Sequence, residues 1–222
     1  MFFLPQNKVG SWEGIRQILM TRYRAVQMLA NTVGIILIFI YFVFFDDIRP
    51  RVYDWTAYLN IAVTFSAGLM GLGYFLSRTW MKDIFLYVNT RLDKTEPDEI
   101  LTERASRKIL NLPVASAIIT MINWIVAAVF MPFLFDLFIP DSLAVKQAIW
   151  MAVGILMAGL TTCVIVFFST ELVCRVVWEK FFPEGEMLDK KGVFRVNIWP
   201  RVLLIFLMAS LFPLADLAVV SY

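Results

Sequence analysis

Apolar residues gather in five long runs, roughly 25–45, 57–76, 114–138, 144–177 and 198–222, and the charged residues fall mostly between them. Each run is long enough to cross about 30 Å of hydrocarbon at about 1.5 Å per residue. A helix satisfies its own backbone hydrogen bonds in lipid, whereas a strand must close into a barrel. The pattern therefore predicts an all-α, polytopic transmembrane helical bundle built from helical hairpins. Residues 25–222 form the expected membrane domain. Residues 1–24 precede it as a separate cytoplasmic, interfacial helix. In that segment Trp12, Ile15, Leu19 and Tyr23 recur at helical spacing among Arg16, Arg22 and Arg24, as suits a helix lying on the inner leaflet.

Composition agrees: 60% of residues are apolar and 17% charged, which excludes an ordinary soluble domain. The placement of charge then fixes an expected topology. Lys and Arg number 4 before the first span, then 2, 7, 1 and 6 in the flanks that follow. This alternation obeys the positive-inside rule at every step. The N-terminus is expected in the cytoplasm and the end of span five outside, in a bacterial inner membrane. The first span reads as a retained anchor, since its end, Phe45-Asp46-Asp47, lacks a small-residue cleavage pattern.

The outer connections are short and the inner ones longer. Residues 77–92 read as a helical continuation of span two. Thr95-Glu96-Pro97-Asp98 reads as a helix start with a Thr cap, and Ile100, Leu101, Ala105 and Ile109 as the apolar stripe of the helix that follows. The spans also repeat in pairs. Arg78, Trp80, Lys82 and Phe85 after span two match Arg175, Trp178, Lys180 and Phe182 after span four in order and nearly in spacing. On that reading the third hairpin lacks its return helix, so the chain is expected to be the N-terminal membrane part of a longer protein.

Phe181-Phe182-Pro183-Glu184-Gly185-Glu186, then Gly192-Val193-Phe194-Arg195-Val196 and Pro200-Arg201, form the linker before span five. Pro183 ends the fourth helix and Gly185 permits the reversal. This linker resembles that of bacterial class III adenylate/guanylate cyclases with a six-helix membrane domain and a HAMP linker. The resemblance implies a sixth span, a HAMP linker and a cyclase domain in the parent protein. It assigns no catalytic residue to this chain.

Polar groups inside the spans are the candidate sites. Asn31, Asn60 and Asn123 are expected to hydrogen-bond between helices. Glu171 is expected to pair with Arg175 four residues on. Asp216 is the one acid of span five. Gly68 in span two, and Gly154 and Ala158 in span four, belong to small-residue clusters that let helices approach, which places these two spans at the packed centre. Cys163 and Cys174 are about 16 Å apart along one helix, too far for a disulfide, and are read as reduced. There is no histidine, no paired-cysteine metal motif and no phosphate loop, so no cofactor, metal or enzymatic role is expected of this chain. The expected partners are the bilayer, a second copy of the chain and a lipid or small apolar ligand, without nucleic acid. The expected function is a sensory or regulatory input and anchoring module of a signalling protein. The alternative is a membrane subunit of a small-solute transporter.

Overall fold

A computed structural model describes residues 11–44, 55–139 and 143–182. Among them are five helices and no strand: α1 (Trp12–Phe44), α2 (Trp55–Leu92), α3 (Glu99–Leu110), α4 (Leu112–Phe138) and α5 (Val145–Phe181). Four of these, all but α3, are long and apolar enough to cross a membrane. The chain is a multi-pass membrane protein. The expected fifth span, the turn at Pro183 and Gly185, and Asp216 lie outside the described residues.

Helices α1, α2 and α5 hold 33, 38 and 37 residues, whereas a bilayer core needs about 20. Each is several turns longer than that, and their charged ends lie together at one end of the molecule. This charged end also holds α3, which is followed at once by α4 through Asn111. The continuation of span two through residue 92 is as expected. Residues 12–24 are not a separate helix: they are the first part of α1. Their apolar stripe does not face lipid either. Ile15, Leu19 and Tyr23 are buried against α2 and α5, because the overruns of those helices supply apolar surface at the same height.

The polar run 93–98 first ends one helix and then leads into the next, which starts later than a Thr95 cap would place it. Lys94 adopts a left-handed φ of 58°. The Thr95 amide bonds the Thr90 carbonyl at 3.1 Å and the Lys94 amide bonds that of Arg91 at 3.3 Å. This is a Schellman stop, with lysine at the position glycine usually takes. The next helix begins at Glu99, with Asp98 rather than Thr95 at the N-cap position and no side-chain cap hydrogen bond there. Its buried stripe is Ala105 and Ile109, with Leu101 half-buried, and Ile100 is exposed.

Two cores result. At the charged end, Trp12 of α1, Tyr87 of α2 and Phe181 of α5 form an aromatic triangle with ring centroids 5.0–5.6 Å apart. Ile15, Ile84, Val88, Ile109, Cys174 and Val177 fill the space beneath it. The other core lies in the apolar section, around Trp124, Phe135, Met151 and Ile155. There Trp124 of α4 fits between two glycines. A side chain on Gly34 of α1 would collide with the Trp124 ring and with Thr162, and a Cβ on Gly159 of α5 would lie 2.6 Å from Trp124 Cβ. Gly154 of α5 likewise leaves room for the Tyr41 ring. Helix α2 reaches this core from the far side of α4, where Tyr58 stacks on Phe135 with centroids 4.4 Å apart. Around the bundle the order is α2, α4, α5, α1.

Candidate functional site

The ring of helices does not close. Between α1 and α2, and floored by α4, lies a cavity of about 400 Å³. Its cause is local. At the charged end, Tyr23 of α1 reaches Ser77 of α2 at 2.8 Å and Ser116 of α4 at 2.9 Å, which ties the three helices together. Beyond this knot α1 follows α5 by way of Gly34 and Gly154, and α2 follows α4 by way of Gly73, whose missing side chain leaves room for Asn123. The two helices therefore part.

The lining changes character with depth. Tyr23, Arg24, Ser77 and Arg78 stand at the charged end. Arg24 lies over the Tyr74 ring, 5.1 Å from its centroid. About one turn deeper come Gln27 and Thr120, and about two turns deeper the amides of Asn31 and Asn123. Asn31 donates to the Gln27 carbonyl of its own helix at 2.8 Å. Asn123 donates across to the Leu69 carbonyl of α2 at 3.3 Å. Gln27 Nε2, Asn123 Oδ1 and Trp124 Nε1 are buried from solvent and have no partner among the described residues. The far half is apolar, with Ile38, Phe39, Phe65, Met131 and Phe135 among its walls. A cavity that is mostly apolar, with a few convergent polar groups, is the usual form of a small-molecule site. An unpaired buried amide costs about 1–3 kcal/mol, which an occupant's hydrogen bond recovers.

No family model, curated protein or solved structure matches the chain.

The residues singled out in the sequence divide between this site and the packing around it. Asn31 and Asn123 line the cavity, but only Asn123 bonds to another helix. Asn60 is exposed on α2 and joins no other helix among the described residues. Gly154 and Ala158 are buried in α5 as expected. Gly68 is not at a packed centre: an added Cβ there meets nothing within 4 Å, because α2 touches α4 with its other face. Glu171 is buried and pairs with Arg175 at 3.5 Å, and both cysteines are free. Among the described residues no cluster of three metal-binding side chains occurs.

Sequence reasoning missed Gln27, and it read Arg24 as part of an interfacial helix, Arg78 as part of the repeat and both as topology signals, but neither as a site residue. Gln27 carried a usable signal, as an uncharged polar residue one turn inside an apolar run. The Tyr23–Ser77–Ser116 knot carried none, since its members are up to 93 residues apart in the chain.

Proposed function

We propose that the chain is the membrane-embedded sensory or regulatory input of a signalling protein, and that the cavity is where its input acts. The observation that carries this reading is Tyr23. Its side chain lines the cavity near the charged end, and its hydroxyl bonds α2 and α4 beside the charged-end core. An occupant that alters the spacing of α1 and α2 must then alter the packing beyond the knot. A ligand shifts such an equilibrium only as far as it prefers one packing over the other. The alternation of Lys and Arg supports a cytoplasmic charged end in a bacterial inner membrane. The linker resemblance supports an adenylate/guanylate cyclase output in a longer parent. Dimerisation belongs to the same proposal.

The test needs no knowledge of the ligand. In a background with Cys163→Ser and Cys174→Ser, spin labels at Gln17→Cys and Glu179→Cys report spacing at the charged end. A cavity-filling Ala62→Trp stands in for an occupant. The expected result is a shifted distance distribution, with the shift weakened by Tyr23→Phe. An unchanged distribution would sink the input reading. The mid-depth cavity also suits the transporter-subunit alternative, which calls instead for solute uptake into proteoliposomes without movement at the charged end.

A further inference from the structure

We propose that the cavity takes a single-chain anionic amphiphile, with its acidic headgroup between Arg24 and Arg78 and its chain along the gap toward Phe135. This rests on the reading of the cavity as a ligand site and adds the class of ligand.

The lining is graded as such a molecule is graded. Arg24 and Arg78 come from opposite lips, α1 and α2, at the charged end. Among the described residues neither has a carboxylate partner. A carboxylate or phosphate placed between them accepts charge-assisted hydrogen bonds from both guanidinium groups. Gln27 lies three residues after Arg24 and so on the same face of α1. Its unpaired Nε2, with the unpaired Oδ1 of Asn123 across the gap, suits the polar junction of head and chain. An ester or amide carbonyl there would accept from Gln27, and a hydroxyl or amide N–H would donate to Asn123. Beyond this junction the walls are apolar apart from Ser66 and the Trp124 N–H.

Length and volume limit the chain. From Arg24 to Phe39 the cavity follows fifteen residues of α1, about 22 Å at the helical rise. That suits an extended long acyl chain. About 400 Å³ lies near the low end for ligand cavities, which suits one chain rather than the two of a bilayer phospholipid. The chain gains contact with the apolar walls rather than transfer from water, since lipid is as apolar as they are, and the arginines choose the head.

The experiment uses the full chain in phosphatidylcholine nanodiscs and a fluorescent long-chain fatty acid as probe. Oleate and oleoyl lysophosphatidate are expected to displace it, and oleyl alcohol to do so about tenfold less well, given that a charged hydrogen bond contributes roughly 1.5–3 kcal/mol. Arg24→Gln with Arg78→Gln should weaken oleate about tenfold or more and leave oleyl alcohol unchanged. Arg24→Lys with Arg78→Lys should retain most of the affinity, which separates lost charge from lost fold. Ala62→Trp should abolish binding of both acid and alcohol. If alcohol and acid bind alike, and the glutamine pair changes neither, the anionic class is overturned while the ligand site stands. If phosphatidylglycerol in the disc displaces the probe at its bilayer concentration, the occupant is a two-chain lipid and the single-chain part is overturned. If the probe does not bind, or Ala62→Trp leaves its binding intact, the cavity is not its site and both readings fall.

Discussion

The charged end and the apolar section of this bundle are built from the same helices yet packed by opposite rules. At the charged end large rings interlock: Trp12, Tyr87 and Phe181 from three helices meet edge to face or tilted, and Trp178 donates to the Ile109 carbonyl of α3 at 3.1 Å. In the apolar section close approach depends on absent side chains, at Gly34, Gly73, Gly154 and Gly159. The physical reason is the solvent. In water, ring burial itself drives helices together. In lipid the tails are as apolar as leucine, so packing rests on contact and on small residues. The second rule holds only where glycine and ring coincide. It holds α4 on α5 and leaves α2 loose: none of the most apolar stretch of α2 is buried, against 44% of that of α5.

The sharpest way to break this comparison is at Trp124. Trp124→Ala should cost about 3–5 kcal/mol by the measure of large-to-small core changes, and Gly159→Leu should be similarly severe by collision. Denaturation in mixed micelles would show it. Gly68→Leu, on the open face of α2, should be nearly silent in the same assay. Equal losses at Gly159 and Gly68 would refute the distinction between the two glycines.

Next in size is Tyr23→Phe. It removes two hydrogen bonds and leaves the buried Ser116 without this partner, for an expected loss of about 1–3 kcal/mol. The loss should be accompanied by faster hydrogen exchange at both ends of the knot. A loss under about 0.5 kcal/mol would mean that the knot does not bind α1 to α2.

The two tryptophans of the internal repeat provide a finer contrast. Trp178 bonds to Ile109, whereas Trp80 Nε1 has no partner among the described residues and its ring instead lies under Lys108, 5.7 Å away. Trp178→Phe should cost about 1 kcal/mol and Trp80→Phe less than half of that. The reverse order would show that sequence symmetry, rather than the observed contacts, sets their roles.

The smallest effect is expected at Lys108–Asp83, an ion pair of 2.7 Å that is about a quarter exposed on each side. Asp83→Asn should cost under about 1 kcal/mol, and the difference should shrink as salt is added.

The boundaries of α2, α4 and α5 were legible in the sequence because lipid demands one thing of a span, an apolar run of sufficient length. The junction of α1 was not. Trp12, Ile15, Leu19 and Tyr23 have the spacing of a helix on a membrane and equally of a helix in a core, and only the overruns of α2 and α5 decide between them. The 93–98 turn misled for a related reason: Thr, Pro and Asp favour helix starts, but the left-handed Lys94 is a conformation that composition does not announce. Of the site, Asn31 and Asn123 were found because polar residues are rare in lipid. The cavity itself was hidden, since it arises where two helices part and no residue encodes a separation.

On the proposed input reading, the knot at Tyr23 is the pivot of one continuous helix. Helix α1 runs unbroken from Trp12 to Phe44. From Tyr23 to Phe39, the far wall of the cavity, is about 24 Å of helix, and from Tyr23 to Trp12 about 16 Å. The hydroxyl bonds thus act as a fulcrum with arms of about three to two. A spreading of about 3 Å between α1 and α2 at Phe39 becomes a counter-swing of about 2 Å at Trp12. That swing presses on the aromatic triangle, where interlocked rings leave no slack to absorb it. The stiffness of a single long helix thereby turns a change in lipid-facing width into displacement at the opposite end.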